Sequence, residues 1–501
     1  MVVKQNAEGA VLAYIARTGS TWVKLEDLKR MMQILNIPAE GTDDLIREGR
    51  IVCSQNPAGT FLTLPRYAEM ESRIARNMYR VLASAPTRKI PGTTKLREIL
   101  KNMNWALADE QAEAVLKSAM SQLLVITGGP GTGKTYTLKA IDTFLRLLGY
   151  HSIIYTAPTG KAARRISEST GRPATTLHKQ IGITKEKKTP KMLDCEVVIV
   201  DEVSMMDAEV ADAFFQAVQS GTKVILVGDT NQLPSVGAGA ILRDMIESDV
   251  IETARLIKTF RQGAESLIIA NMKNIRDGIP DLKGGDDFRI AVPSEQMPAA
   301  ETILEIYRQE YERLGGNEDI VVLTPFRQKK YATSSEALNE RLQAMVNGSA
   351  KGFHTNRGIW FRIGDPVMQT ENREECANGD VGRVTEVTKE GITVKYVDCE
   401  VKYAAQELDT SELALAYAMS IHKSQGSEYK TVITTLLNEH GPMLQRNLLY
   451  TAVTRAKEKC FLVVEPEAVQ KAVKTQGDTG RTTQLAMMLQ AYALKYGMQA
   501  S

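Results

Sequence analysis

The stretch Gly128-Gly129-Pro130-Gly131-Thr132-Gly133-Lys134-Thr135 constrains this chain more than any other, because it dictates what must stand on either side of it. Leu123-Leu124-Val125-Ile126 before it reads as a buried strand, and Tyr136 to Leu147 after it as an amphipathic helix. A glycine turn between a strand and a helix N-terminus is a phosphate cradle. Backbone N–H groups close around phosphate oxygens, and the helix end adds a favourable dipole. In that setting Lys134 reaches the β- and γ-phosphates and the Thr135 hydroxyl holds Mg²⁺, with Gly128 through Tyr136 lining the ligand. The loop implies that a nucleoside triphosphate binds here.

The surrounding pattern is α/β. Between Leu96 and Leu256 the apolar runs Leu123–Ile126, Ser152–Thr156, Val197–Val200 and Val224–Val227 alternate with helical stretches, as in a parallel sheet covered by helices. A second α/β segment begins near Phe260, with strand-like runs Ile320–Leu323, Leu413–Met419, Thr431–Thr435 and Lys459–Val464. Between Phe361 and Asp409 short strands and turn signals (Asn378-Gly379-Asp380, Lys389-Glu390-Gly391) predict a small all-β barrel. Ahead of the loop, Ala7–Thr18, Leu25–Leu35 and Thr42–Arg47 read as helices, and Arg50–Cys53 with Thr60–Leu64 as a hairpin. That is a winged-helix-like outline, from which a helix at Tyr67–Leu82 leads onward. The expected division is an N-terminal module at 1–95, one α/β unit at 96–258 with a short excursion at 179–194, and a second at 259–501 carrying the barrel at about 345–412.

Val197-Val198-Ile199-Val200 runs straight into Asp201-Glu202. A buried strand ending in two carboxylates suits phosphoryl transfer: Asp201 would complete the Mg²⁺ site, and Glu202 would orient and deprotonate a water. The next strand ends in Gly228-Asp229-Thr230-Asn231-Gln232-Leu233-Pro234, where Gln232 is placed to sense the γ-phosphate.

Composition excludes little. The net charge is only +2, so any nucleic-acid surface must be a local groove. Five scattered cysteines without a C-x-x-C pair read as reduced, mostly buried small hydrophobes. With no apolar run near the roughly 20 residues of a membrane span and no signal-peptide pattern, a soluble cytoplasmic protein with no membrane partner is expected. The pairs Met31-Met32, Met205-Met206 and Met487-Met488 read as core filler, and Trp105 as packing at the nucleotide's edge.

Taken in order, further segments resemble the motifs of a superfamily 1 helicase of the RecD-like branch. Ala108-Asp109-Glu110-Gln111 is similar to the adenine-reading glutamine motif. Thr156-Ala157-Pro158-Thr159-Gly160-Lys161-Ala162-Ala163 looks like motif Ia, followed by Thr176-Leu177-His178. Phe260-Arg261-Gln262 resembles motif IV, and Leu323-Thr324-Pro325-Phe326-Arg327 the segment after it. Ile421-His422-Lys423-Ser424-Gln425-Gly426-Ser427-Glu428 resembles motif V, and Tyr450-Thr451-Ala452-Val453-Thr454-Arg455-Ala456 motif VI. The resemblance spans roughly Leu107 to Val464.

It implies two tandem RecA-like domains sandwiching ATP and Mg²⁺, with Gln111 on the adenine and Arg261 and Arg455 as arginine fingers. It also implies an SH3-like barrel above a single-stranded DNA track. Pro158, Thr159, His178, Thr324, Phe326, His422 and Ser424 are the matching DNA positions. The implied activity is ATP-driven 5′-to-3′ movement on single-stranded DNA and unwinding at single-/double-strand junctions, by a monomer. The alternatives are an ATPase subunit docked on a nuclease or replication complex through residues 1–95, and an RNA helicase. Against the RNA helicase, His422-Lys423-Ser424-Gln425-Gly426 lacks the aspartate and phenylalanine usual there. The lysine-rich excursion Thr184–Lys191 sits where relatives carry a strand-splitting pin and reads equally well as a solvated loop. Pathway, preferred DNA structure and partners are not legible in the sequence.

Overall fold

The computed structural model describes residues 7–497 except 39–41, 185–186, 188, 261–265, 317–318, 372, 374, 398, 411 and 478–479. At the N-terminus three helices, Ala7–Thr18, Leu25–Ile34 and Thr42–Arg47, pack against strands β1 (Val23–Lys24), β2 (Val52–Asn56) and β3 (Gly59–Thr63). The three strands form an antiparallel sheet in the order β1-β3-β2.

The first motor-type unit holds β4 (Leu123–Gly128), β5 (Ile153–Ala157), β6 (Ala174–Thr176), β7 (Val197–Val200), β8 (Lys223–Gly228) and β9 (Glu252–Leu256). They form a parallel sheet in the order β6-β5-β7-β8-β4-β9. β4, β7 and β8 are buried along their whole length, because helices cover both faces; hence their unbroken apolar runs.

The second unit begins with β10 (Phe288–Ala291) and β11 (Ile320–Thr324). A ribbon of β12 (Gly352–His354) and β13 (Trp360–Arg362) follows. Then come β14 (Pro366–Gln369), β15 (Val381–Val387), β16 (Gly391–Lys395), β17 (Glu400–Ala404) and β18 (Leu413–Leu415), an antiparallel sheet in the order β17-β16-β15-β14-β18. This is the expected all-β insert. β19 (Ala418–Ser420), β20 (Tyr429–Leu436) and β21 (Ala456–Val464) return to the parallel sheet, ordered β10-β21-β20-β11-β19. The expected single strand Leu413–Met419 is thus two strands in two sheets, split at Ala416-Tyr417. The insert is fused to the unit rather than hung from it, since Val367, Val384 and Val394 share a buried cluster with Ile303, Val322 and Ile433.

Two helices pack away from the units their positions in the chain suggested. Pro65–Leu82 contributes Ile74, Ala75, Met78 and Val81 to the first unit's core, and Leu485–Lys495 contributes Leu485 and Leu489 to the same core. A charge-assisted pair, Arg73 to Asp212 at 2.6 Å, fastens the former. The buried carboxylate of Glu71 ties both to the N-terminal module: it accepts from Trp22 Nε1 (2.8 Å), the Gln484 amide (3.1 Å) and the Thr21 hydroxyl. Met487, in this second helix, is exposed rather than core. All five cysteines are free thiols; Cys376 and Cys460 are buried and Cys53 is exposed.

Candidate active site

β4 delivers the phosphate loop at its carboxyl end. Gly131 and Gly133 have φ of 75° and 77°, a region that costs glycine nothing. Gly133 also leaves no room for a side chain: a Cβ there would lie 2.5 Å from Gln111 Nε2. Lys134 Nζ donates to the carbonyl oxygens of Gly128 (2.7 Å) and Gly129 (3.0 Å), and the Thr132 hydroxyl donates to Gly129 O (2.8 Å). A triphosphate would replace two neutral carbonyls by anionic oxygens, the stronger acceptors for an ammonium. Gln111 is buried with both ends engaged: Nε2 donates to Thr132 O (3.1 Å), and Oε1 accepts from the Ala108 amide (3.1 Å). It braces the loop from below, while Trp105 packs on Tyr136 with ring centroids 5.0 Å apart. Phe260 N donates to Gly131 O at 2.7 Å; Arg261, next in sequence, lies outside the described residues.

β7 presents the acid pair. Asp201 accepts from the Glu202 amide at 2.8 Å, and Glu202 takes a left-handed conformation, φ 54°, rare for a residue with a Cβ. The Asp201 carboxyl is pushed up to about 6, first by burial and then by the Glu202 charge, with Lys134 and Arg165 pulling it back. Two crowded carboxylates in the field of Lys134 suit Mg²⁺, which takes one or two carboxylates and leaves its other positions to phosphate and water.

The second unit reaches into this site from the helix Arg446–Thr454. The Tyr450 hydroxyl donates to Asp229 at 3.2 Å, and a Cβ on Gly129 would stand only 2.9 Å from its oxygen. Thr451 Oγ1 accepts from the Leu233 amide (2.8 Å), and Gln425 Nε2 donates to Leu233 O (2.9 Å), so the loop after β8 is held by both motifs of the second unit. Gln232 is buried on Asp229 at 3.5 Å rather than on the phosphate loop. Arg455 is 3% exposed and is held by Thr451 O (3.1 Å), Ser427 O (3.1 Å) and Thr454 Oγ1 (3.0 Å). Burial lowers its pKa, and the charges of Glu202 and Glu428 oppose that fall. Arg165, bonded to Glu428 at 2.9 Å, feels the same acids. A cavity of about 260 Å³ between the units is lined by Asp229, Gln232 and Tyr450 together with Arg243, Arg276 and Arg446.

Lys134, Asp201, Glu202 and Arg455 therefore converge. Tyr450, Arg165 and Glu428 belong to the same cluster, and sequence reasoning passed over them. Tyr450 and Glu428 lay inside motifs already quoted, but only the fold reveals what they touch.

The expected DNA positions divide. Thr159 caps the helix Gly160–Thr170, accepting from Ala162 N at 3.2 Å; Pro158 and His422 are half-buried, and His178 is exposed. Burial lowers the His422 pKa. Thr324 and Ser424 are fully buried and turn their hydroxyls inward, to Thr333 O (2.7 Å) and Ile421 O (2.7 Å). The insert's turn closes over this face: Asn378 accepts from Lys423 Nζ at 2.9 Å, Asp380 pairs with Arg164 at 3.6 Å, and a Cβ on Gly160 would meet Ala377 Cβ at 2.5 Å. In the lysine-rich excursion, Thr184 N donates to Lys187 O (2.9 Å); Lys185, Glu186 and Lys188 lie outside the described residues.

Residues 106–289 match the AAA domain family, 338–396 the SH3 domain of ATP-dependent RecD-like DNA helicases, and 415–463 the UvrD-like helicase C-terminal domain. The chain is 35% identical over 427 residues to the ATP-dependent RecD2 DNA helicase of Deinococcus radiodurans, covering 84% of this chain but only 58% of that protein. It is 29% identical over 520 residues to the RecBCD enzyme subunit RecD of Mycolicibacterium smegmatis, covering 92% of this chain and 89% of that one. Among solved structures, Bacteroides Pif1 bound to single-stranded DNA aligns with a TM-score of 0.45 at 20% identity, over 73% of this chain and 94% of that chain.

Proposed function

We propose that the chain is a RecD-like helicase of superfamily 1, which hydrolyses ATP to move 5′ to 3′ along single-stranded DNA and to part duplexes at junctions, in repair, recombination or replication. The decisive observation is the burial of Arg455 from the second unit in the field of Glu202 from the first.

Lys134 binds the β- and γ-phosphates. Thr135 and Asp201 would hold Mg²⁺, which would supply further positive charge to those phosphates. Glu202 orients the attacking water and takes its proton as the γ-phosphoryl group transfers, leaving ADP and phosphate. Arg455, with Arg261 as its expected companion, stabilises charge on that group, an effect worth ~10³–10⁵ in rate for such fingers. Tyr450 on Asp229 and Thr451 with Gln425 on Leu233 tie the loop after β8 to motifs V and VI, which couples the two units beside the nucleotide. Gln111 positions the loop and meets adenine at its edge; Gln232 relays the γ-phosphate's state to Asp229.

Single-stranded DNA crosses Pro158, Thr159, His178 and His422 beneath the insert's turn, held through phosphates with little sequence preference. Backbone N–H groups near Thr324 and Ser424 take the place of their hydroxyls. The N-terminal module ahead of Pro65 is a winged-helix element for docking, and the RecA-like units lie within 96–258 and 259–501, the latter with its insert at about 345–412, while the helices Pro65–Leu82 and Leu485–Lys495 complete the first unit's core. Among the described residues no helix is long and apolar enough to cross a membrane, and we place the protein in the cytoplasm as a monomer. Similarity over most of the chain to a RecBCD subunit favours a second reading, a motor that unwinds only when docked.

Strand displacement on duplexes with a 5′ or a 3′ single-stranded tail, with Lys134→Ala as control, tests both. Unwinding of the 5′-tailed duplex alone supports the free-standing motor. DNA-stimulated hydrolysis without unwinding selects the docked reading, and unwinding from 3′ tails alone refutes the direction.

A further inference from the structure

The segment 325–334 leaves the carboxyl end of β11 beside β19, whose own end carries His422 to Ser424. Phe326 and Tyr331 stack within it, ring centroids 5.2 Å apart and planes at 16°. Phe326 also meets the His440 ring edge-on at 5.4 Å. His440 is fully buried, its Nδ1 accepts from the Leu437 amide at 3.0 Å, and burial pulls its pKa down to about 4. It is a fixed, neutral backing.

Tyr331 is half-buried, while Arg327, Gln328, Lys329 and Lys330 before it are exposed. Its carbonyl is anchored by the Ser334 amide (3.1 Å) and hydroxyl (2.8 Å), which start the helix Ser335–Asn347. Arg327 and Lys329 are neutralised by Glu336 and Glu340 of that helix. The Lys330 ammonium instead lies over the Tyr331 ring, 5.4 Å from its centroid. The charge of Arg327 reaches Lys423, which bonds Asn378 of the insert's turn, so this aromatic pair borders the strip beneath the insert.

We propose that Tyr331 is a base-stacking residue for single-stranded DNA on the second unit, backed by Phe326 and His440, with Lys330 exchanging the ring for a phosphate when a base takes its place. This rests on the DNA-motor reading above. A π-face accepts any base, which suits a motor that must pass every sequence. Phe326, already covered by Tyr331, becomes the support rather than the contact.

The test is oligo(dT) binding by full-length Tyr331→Trp, Tyr331→Ala, Tyr331→Phe and Lys330→Ala proteins. Stacking predicts that Tyr331→Trp gains a fluorescence signal that DNA quenches beyond any change in the unaltered protein. It predicts an affinity loss of about ten-fold for Tyr331→Ala but not for Tyr331→Phe. Lys330→Ala should lower the salt dependence of binding by about one phosphate contact. Unquenched Tyr331→Trp bound to DNA, or Tyr331→Ala binding as tightly as Tyr331→Phe, overturns the stacking role and leaves the motor reading intact. Failure of the unaltered protein to bind oligo(dT) overturns both.

Discussion

The two α/β units share a parallel-sheet architecture but contribute to the candidate nucleotide site in opposite ways. The first carries its chemistry in short contiguous segments, the loop Gly128–Thr135 and the pair Asp201-Glu202, each fixed by the strand that ends there. The second carries no such loop in its sequence. It contributes single side chains, Tyr450, Thr451, Gln425 and Arg455, spread over two segments and meaningful only where they touch the first unit. On the proposed reading, the first half would hold the nucleotide and the second would decide when it is cleaved.

Substitutions that strike one half at a time break or sharpen this contrast. The largest effect is expected in the first: Lys134→Ala should lose both nucleotide affinity and turnover, the latter by at least about 10³-fold, in steady-state ATPase and nucleotide-binding assays. Glu202→Gln should slow hydrolysis by roughly 10²–10⁴-fold while nucleotide and DNA stay bound, read by filter binding; normal turnover would remove the general-base assignment. Tyr450→Phe deletes a single hydrogen bond between the units and should cost about five-fold in kcat/KM, with little change in nucleotide affinity.

The smallest effect on turnover lies away from chemistry, at the junction of the two chain ends. Burial, opposed by three hydrogen bonds and reinforced by Asp244, raises Glu71 from 4.5 to about 7. The folded protein therefore holds this proton more tightly than the unfolded chain. The junction is most stable below pH 4.5, weakens as pH rises from 4.5 to 7, and levels off above. The change is about 3 kcal/mol at most. Glu71→Gln, whose oxygen can keep the Trp22 and Gln484 bonds while its NH2 donates to the Thr21 hydroxyl, should reduce the dependence of thermal unfolding on pH across this window.

The same contrast explains what was readable in the chain. A strand, a glycine turn and a helix start are local, so the phosphate loop, the acid pair and both sheets could be read from runs of residues. Contacts closed over hundreds of positions could not. Nothing near Leu485 signals that its helix crosses back to pack beside Pro65–Leu82, nor that Glu71 waits there for Trp22 and Gln484. The run Leu413–Met419 read as one strand because apolar residues serve either sheet equally, and only the turn at Ala416-Tyr417 separates them. Thr324 and Ser424 matched DNA-contact positions by type, but a hydroxyl's direction is set by the nearest free carbonyl, which here lies inside. Tyr331 went unnoticed because a lone tyrosine among lysines acquires meaning only once Phe326 lies beneath it.

Single-turnover hydrolysis by Arg455→Ala, measured with saturating single-stranded DNA and alongside its nucleotide affinity, tests the composite site most directly. A site completed by the second unit predicts unchanged nucleotide binding and a fall of ~10³-fold or more in the cleavage rate. Cleavage at the unaltered rate would contradict it, and would return the chemistry to the first unit alone.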